Sequence, residues 1–283
     1  MTLAPAATAV PPNEVATDVS ARRRPPRRPI RVNVRGLAFI VGLLLVLEAI
    51  ITLFVESSYV PRPSAVFAAL GSELARGDLP GSVLATLSTF AAGLLVAAVL
   101  GVLIGVVLGA SLRAFDAVKL IVEFLRPLPS VAVIPFAILI LGVGSSTSIT
   151  VTAYAAFWPI LFNTYYGVRD VNPVAVDTAR VFGLSRPAIL RRVLLPNAAT
   201  NIVAGIRISA AIALILAITV EMITSSGGLG YYIVRMQTAI RTEDMYAGVL
   251  AVGVIGYLIS LIVVAIERRV VFWKTDASDG GVQ

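Results

Sequence analysis

The chain contains no cysteine and no histidine. The first absence removes disulfides and thiolate chemistry. The second removes imidazole as a general base, triad member or metal ligand. Lysine occurs only at Lys119 and Lys274, and neither follows a glycine-rich loop, so there is no Walker-type phosphate cradle. Charge of either sign is scarce: 14% of 283 residues, against roughly 25% in a soluble domain. In its place stands apolar material, 58% of the chain, with a mean hydropathy of +0.91. A soluble core of this length would leave large apolar patches in water, so the class is integral membrane protein. An enzyme with chemistry of its own is disfavoured. No metal site and no cofactor is expected.

What charge there is sits unevenly. Arg22, Arg23, Arg24, Arg27, Arg28, Arg31 and Arg35 crowd the N-terminus, directly before a long apolar run. A nucleic-acid arm would need no such run, and the run is longer than the core of an export signal. The cluster therefore reads as the cytoplasmic flank of a first membrane helix. Residues 1–30, rich in Pro, Ala and Arg, are expected to be disordered, residues 31–274 to form the membrane domain, and 275–283 a cytoplasmic tail.

A crossing helix needs about 20 apolar residues. Six candidates satisfy this: about Gly36–Val55, Ser82–Ala110, a segment after Arg126 interrupted by Pro127, Pro129 and Pro135, then Ser148–Val168, Ile202–Thr224 and Met245–Val271. The third is short after its prolines, and FDAVKLIVEFLR before it reads as an interfacial or continuous helix. With the N-terminus inside, eighteen of the 23 basic residues fall on inner segments and four on outer ones; Arg113, Lys119 and Arg126 are counted in an inner loop. That bias places both termini in the cytoplasm. The expected fold is all-α and polytopic, with six transmembrane helices.

Within the second candidate, Ala85, Thr89, Gly93, Ala97, Gly101, Gly105 and Gly109 recur every four residues. Small residues on one ridge let helix backbones approach closely in lipid. The ridge marks a tightly packed helix, against another span of the same chain or against a second subunit.

One inner segment is not apolar. Asn172 N-caps a helix with Pro173 in its first position, and Gly183 ends that helix by adopting a left-handed conformation. Ser185 caps a second short helix, with Pro187 in its first turn, that ends near Pro196. Such helices are too short to be stable alone in water and need a surface to pack on. The segment is either a floor for the bundle or a rigid knob that docks into a cytoplasmic partner and passes motion to the flanking spans.

The pattern DTARVFG, nine residues, VLLP resembles the EAA loop of binding-protein-dependent ABC importer permeases. Asp177 stands for the usual Glu and Thr178 for the first Ala, Ala179 and Gly183 are retained, Val193 replaces Ile, and Pro196 closes the motif. RPLPSVAVIPFAILILGVG, AAFWPILFNTYYGVRDVNP and EMITSSGGLGYYI are similar to segments of the nitrate, taurine and aliphatic-sulfonate branch. The resemblance, over residues 80–272, implies a permease subunit of an importer in the inner membrane, usually a homodimer. It implies two cytoplasmic ATP-binding subunits, where ATP is hydrolysed, and an extracytoplasmic solute-binding protein. It assigns ATPase coupling to Asp177, Thr178, Ala179, Arg180, Gly183, Leu184, Ser185 and Pro196.

Charged groups inside spans are functional candidates by default. Glu48 lies in the first span and Arg207 and Glu221 in the fifth, the latter two too far apart along one helix to pair. Arg207 either snorkels to the inner interface or meets an anionic ligand. Glu221 is expected to have a partner and to gate or anchor the loop SSGGLGYY, which faces the solute-binding protein or is an ordinary external loop. Thr219, Ser209 and Thr150 are candidates for the path. A proton-coupled secondary transporter using Glu48 and Glu221 stays open as the alternative.

Overall fold

The computed structural model describes residues 34–54 and 59–271. The N-terminal arginines before Val34 and the tail after Val271 lie outside them. Two compact units are distinguished, 1–43 and 44–283. The first contributes the start of α1 (Val34–Phe54), whose Phe39, Ile40 and Val41 are exposed as befits a lipid-facing helix. The rest concerns the second unit.

All regular structure among the described residues is helical: α2 (Pro63–Arg76), α3 (Asp78–Ala110), α4 (Leu112–Leu125), a 3-10 turn Ser130–Val133, α5 (Ile134–Leu141), α6 (Ser145–Arg169), α7 (Pro173–Val181), α8 (Arg186–Ile189), a π-helical turn Leu190–Leu194, α9 (Leu195–Thr224), α10 (Gly228–Thr238) and α11 (Thr242–Val270). In lipid, helices satisfy every backbone hydrogen bond within the segment. Three stretches are single helices long and apolar enough to cross a membrane: Asp78–Ala110, Arg186–Thr224 and Thr242–Val270. The apolar stretch of α1, Ala38–Phe54, is shorter.

α6 is the central helix. It has 25 residues, about 37 Å, and its Thr, Ser and Tyr content is tolerated because most of it is buried between α3 and α9. A Cβ on Gly93, Gly101, Gly105 or Gly109 would meet Thr152, Ile160, Thr164 and Val168 of α6 at 2.7–2.9 Å. The numbering offset is 59 at all four places, so α3 and α6 run in the same direction in fixed register. The four-residue ridge on α3 is the side that faces α6. On the other seam Gly167 faces Asn201 and Gly205 faces Asn163, while Ser209 donates to the Ala156 carbonyl at 2.6 Å. α9 therefore runs antiparallel to α6. α11 returns antiparallel to α9, with Gly256 against Leu214 and Glu267 paired to Arg207.

These directions decide the third crossing. α3 ends at one end of the bundle and α6 begins at the other, so residues 111–144 traverse its thickness. They do so as a broken span: α4 and the following 3-10/α5 segment meet at 89°. The expectation of a span following Arg126 is corrected here. α5 has only eight residues, about 12 Å, and the first half of the crossing is α4, which precedes Arg126. Pro127 and Pro129 lack the N–H that would continue the helical ladder; Arg126 is still helical, and the chain turns extended at Pro129 (ψ 123°).

Candidate functional site

The residues 172–196 form a knob at the end of the bundle that holds the C-termini of α3, α6 and α11. The Asn172 side chain accepts from the Val174 amide at 2.9 Å, capping α7. At its other end the Leu184 amide bonds the Ala179 carbonyl (3.0 Å) and the Gly183 amide the Arg180 carbonyl (2.9 Å), a Schellman closure. Gly183 sits at φ +74°, which only glycine adopts without cost. Ser185 occupies the N-cap of α8 in extended conformation, with no capping bond from its side chain among the described residues.

Inside the knob, Ala179 and Ile189 are buried. A cleft of about 700 Å³ lined by Val176, Arg180, Leu184, Arg186 and Leu190 opens toward Ala110 at the end of α3. Outside, Asp177 and Arg180 pair at 2.8 Å, both exposed; an exposed pair of this kind contributes little stability. Val174, Val181 and Phe182 are 68, 87 and 78% exposed. An apolar cluster that open, at the charged end of a membrane protein, is a candidate interaction surface.

The second knob helix does not end near Pro196, and the fifth span does not begin at Ile202. Arg186–Thr224 is one rod of 39 residues. Pro196 lacks the N–H and crowds the preceding turn. The π-helical turn Leu190–Leu194 immediately before it absorbs the misfit. Nδ2 of Asn197 donates to the Val193 carbonyl at 2.7 Å, a side-chain bond back onto the end of the π turn. A π turn inside a helix often marks a functional site.

At the far end of that rod stands Glu221, buried. Its Oε2 accepts from Thr86 Oγ1 of α3 at 2.7 Å and from the Gly230 amide at 3.1 Å. Thr86 Oγ1 in turn accepts from the Leu229 amide at 2.8 Å. A carboxylate thus sits at the N-terminus of α10, where the helix dipole and open amides favour negative charge. Gly228 has φ +84°, and a side chain there would collide with the Glu221 carboxylate. On Gly230 it would strike the Ile218 carbonyl. The glycines of SSGGLGYY are therefore what allow α10 to close over α9 and α3.

Beyond α10 lies a polar cluster that sequence reasoning missed. Glu73 of α2 is 1% exposed and pairs with Arg241 at 2.8 Å; Arg241 also holds Asp244 at 2.7 Å. The buried Tyr232 phenol is pushed up by burial first and by the Glu73 carboxylate second. Arg235 reaches Asp78 at 3.5 Å. A lone Glu in the amphipathic PSAVFAALGSELAR gives no sign of its partner 168 residues away.

The remaining expected residues are dispersed. Arg207 pairs with Glu267 at 3.3 Å beside a largely apolar groove between α9 and α11. Ser209 is buried in the α6–α9 seam. Thr150 is exposed and Thr219 half-buried, and the Thr219 hydroxyl donates to the Ile215 carbonyl. Glu48 accepts from the Ser64 amide and hydroxyl at 3.0 and 2.7 Å, capping α2. Leu184 and Arg180 line the knob's cleft, and Thr178 lies on α7.

With this geometry in view, comparison with known proteins is direct. Residues 97–273 match the family model for the binding-protein-dependent transport system inner membrane component. The putative aliphatic sulfonates transport permease protein SsuC of Bacillus subtilis is 30% identical over 259 residues, 91% of this chain and 94% of that protein. The taurine transport system permease protein TauC of Escherichia coli is 28% identical, covering 67% of this chain and 69% of its own. The nitrate import permease protein NrtB of Leptolyngbya laminosa is 30% identical, covering 67% and 68%. Among solved structures, an inward-facing form of the MetNI methionine ABC transporter superposes with a TM-score of 0.60 at 22% identity, over 70% of this chain and 98% of that one, which shows the shared fold. The chain is an all-α, polytopic inner-membrane protein and belongs to the family of binding-protein-dependent transport system inner membrane components.

Proposed function

We propose that this chain is the membrane-spanning half of an ATP-driven importer, working as a homodimer with two cytoplasmic ATP-binding subunits and an extracytoplasmic solute-binding protein. The solute is a small anion such as a sulfonate, taurine or nitrate, as the names of the relatives suggest. ATP is hydrolysed on the separate subunits. Six crossings with both termini inside account for the excess of arginine at the knob end.

One observation carries this reading: a single 39-residue rod, about 58 Å, joins an exposed apolar knob at one end to the α10 anchor at the other. The knob residues Asp177, Thr178, Ala179, Arg180, Gly183, Leu184, Ser185 and Pro196 shape the surface offered to the ATPase. Closure of the ATPase pair displaces the knob. Because α8 and α9 are continuous, the displacement reaches Glu221 and shifts α10, which faces the solute-binding protein. The central path then alternates between inward and outward openings. Glu221 anchors that outer element, Ser209 holds α9 to α6, and Gly93, Gly101, Gly105 and Gly109 keep α3 and α6 moving as one body.

The test is uncoupling. Asp177→Lys combined with Gly183→Pro is expected to leave the chain in the membrane while abolishing co-purification of the ATPase subunits. Retention of the ATPase by that double variant contradicts the proposal.

A further inference from the structure

The break in the third crossing leaves a cation alongside the interior of α6. α4 runs antiparallel to α6, with the register fixed at two points: the Phe115 ring stacks on Tyr165 at 4.5 Å, and Tyr154 Oη donates to the Leu125 carbonyl at 3.2 Å. The last residue of α4 is therefore level with Tyr154, near the middle of α6. Arg126 follows immediately. Its guanidinium lies 4.4 Å from the centroid of the Phe162 ring. Phe162 is seven residues, about 10 Å, short of the α6 C-terminus, so the guanidinium lies below the end of the bundle and not at its rim. The sequence alone had counted Arg126 as a loop residue of the inner surface.

Arg126 is exposed, and among the described residues no carboxylate pairs with it. Nor is it alone. Arg113, Asp116, Lys119, Glu123 and Arg126 recur at three- and four-residue steps, so they share one face of α4, and all are exposed. The adjoining face, Phe115, Val118, Val122 and Leu125, is the partly buried one that looks toward α6. Lys119 and Glu123 approach to 3.9 Å, which leaves Arg126 as the unneutralised charge where the helix stops. A bare guanidinium facing lipid at this depth is costly, so the charged face of α4 borders water. Beside the cation, the Trp158 indole N–H is buried with no acceptor among the described residues, and the Trp158 and Phe162 rings lie 6.4 Å apart.

We propose that Arg126, steadied over Phe162, is a binding residue for a small oxyanion part-way through the membrane, at the head of a water-filled path along α4. The guanidinium fork matches the oxygens of a sulfonate or nitrate-type anion. The break supplies the site by ending the helix and its side-chain screen at mid-depth. This inference rests on the importer reading for its purpose, but its physical content is separately testable.

The chain has no cysteine and two tryptophans, which makes both probes clean. In the full-length chain in nanodiscs, single-cysteine variants Lys119→Cys, Glu123→Cys and Arg126→Cys should react with a charged, membrane-impermeant methanethiosulfonate. Ile121→Cys, exposed on the opposite flank of α4, should not. For the anion, Phe162→Trp in a Trp158→Phe, Trp273→Phe background sets an indole directly under Arg126. Iodide should quench it saturably at constant ionic strength, and methanesulfonate or nitrate should relieve the quenching. Adding Arg126→Gln should weaken iodide quenching roughly tenfold, the scale of one charge-assisted hydrogen bond, while acrylamide quenching stays the same. Equal iodide quenching with and without Arg126, or no thiol reaction at 126, overturns the site. Co-purification of the ATPase with these same variants reads the importer proposal independently, so either idea can fail while the other stands.

Discussion

Thr86→Val isolates the joint between the rod and α10. The change is nearly isosteric, yet Thr86 Oγ1 makes two bonds in one buried place, donating to Glu221 Oε2 and accepting from the Leu229 amide. Valine can do neither. The Leu229 amide is left buried and unpaired at about 1–3 kcal/mol, and Glu221 loses one of two donors at about the same cost or more. The expected total is about 2–6 kcal/mol, localised to the α10 N-terminus. Since each 1.4 kcal/mol is about tenfold, the amides of Leu229 and Gly230 should exchange with solvent at least about 30-fold faster than in the parent chain. Hydrogen–deuterium exchange in nanodiscs measures this, with the α6–α9 seam as internal standard. Thr86→Ser keeps both bonds and should exchange like the parent. If Thr86→Val leaves α10 protection unchanged, or if Thr86→Ser is as damaging, then the Glu221–Thr86 joint does not hold α10 and the reasoning fails.

Three further outcomes follow from the same geometry. Gly105→Leu should destabilise the α3–α6 seam by at least about 1–3 kcal/mol, because its Cβ already meets Thr164 and the Leu161 carbonyl below 3.0 Å; a thermal-shift assay should show a lower midpoint, whereas Gly42→Leu, with open space around it, should not. Gly183→Ala should cost about 1–2 kcal/mol at its left-handed backbone and lower solute-stimulated ATPase activity of the assembled complex, with Gly183→Asn intermediate; full activity of Gly183→Ala would contradict the role given to the α7 closure. Arg241→Ala should remove one charge-assisted contact from buried Glu73 and cost about 1–3 kcal/mol, seen as proteolytic sensitivity at α2, while Arg241→Ala combined with Glu73→Gln should recover part of it.

Much of the fold was legible because lipid forces simple patterns. The small-residue ridge of α3 names its own packing face, and the Asn172–Pro173 start and Gly183 stop of α7 are local chemistry that the structure repeats. Three things were not legible, each for a physical reason. The register that makes α8 and α9 one rod depends on a π turn relieving Pro196, and proline by itself reads as a stop. The depth of Arg126 depends on where Phe115 and Leu125 dock along α6, which no property of α4 encodes. The Glu73–Arg241 pair joins residues 168 apart, and pairing at that range leaves no trace in a single sequence. Glu221 was visible as an intramembrane charge; that Thr86 and Gly230 hold it was not.

The central claim is mechanical: the exposed face of α7 is where force enters the membrane. Val181 and Phe182 are its most open apolar residues, and the natural chain brings no competing thiol. Val181→Cys and Phe182→Cys, each carrying a short photo-crosslinker in intact cells, should join the chain to an ATP-hydrolysing subunit. A control at exposed Leu139 of α5 should not. Crosslinks from 181 and 182 that capture only lipid, or that never include an ATPase while the complex still imports solute, would contradict the account.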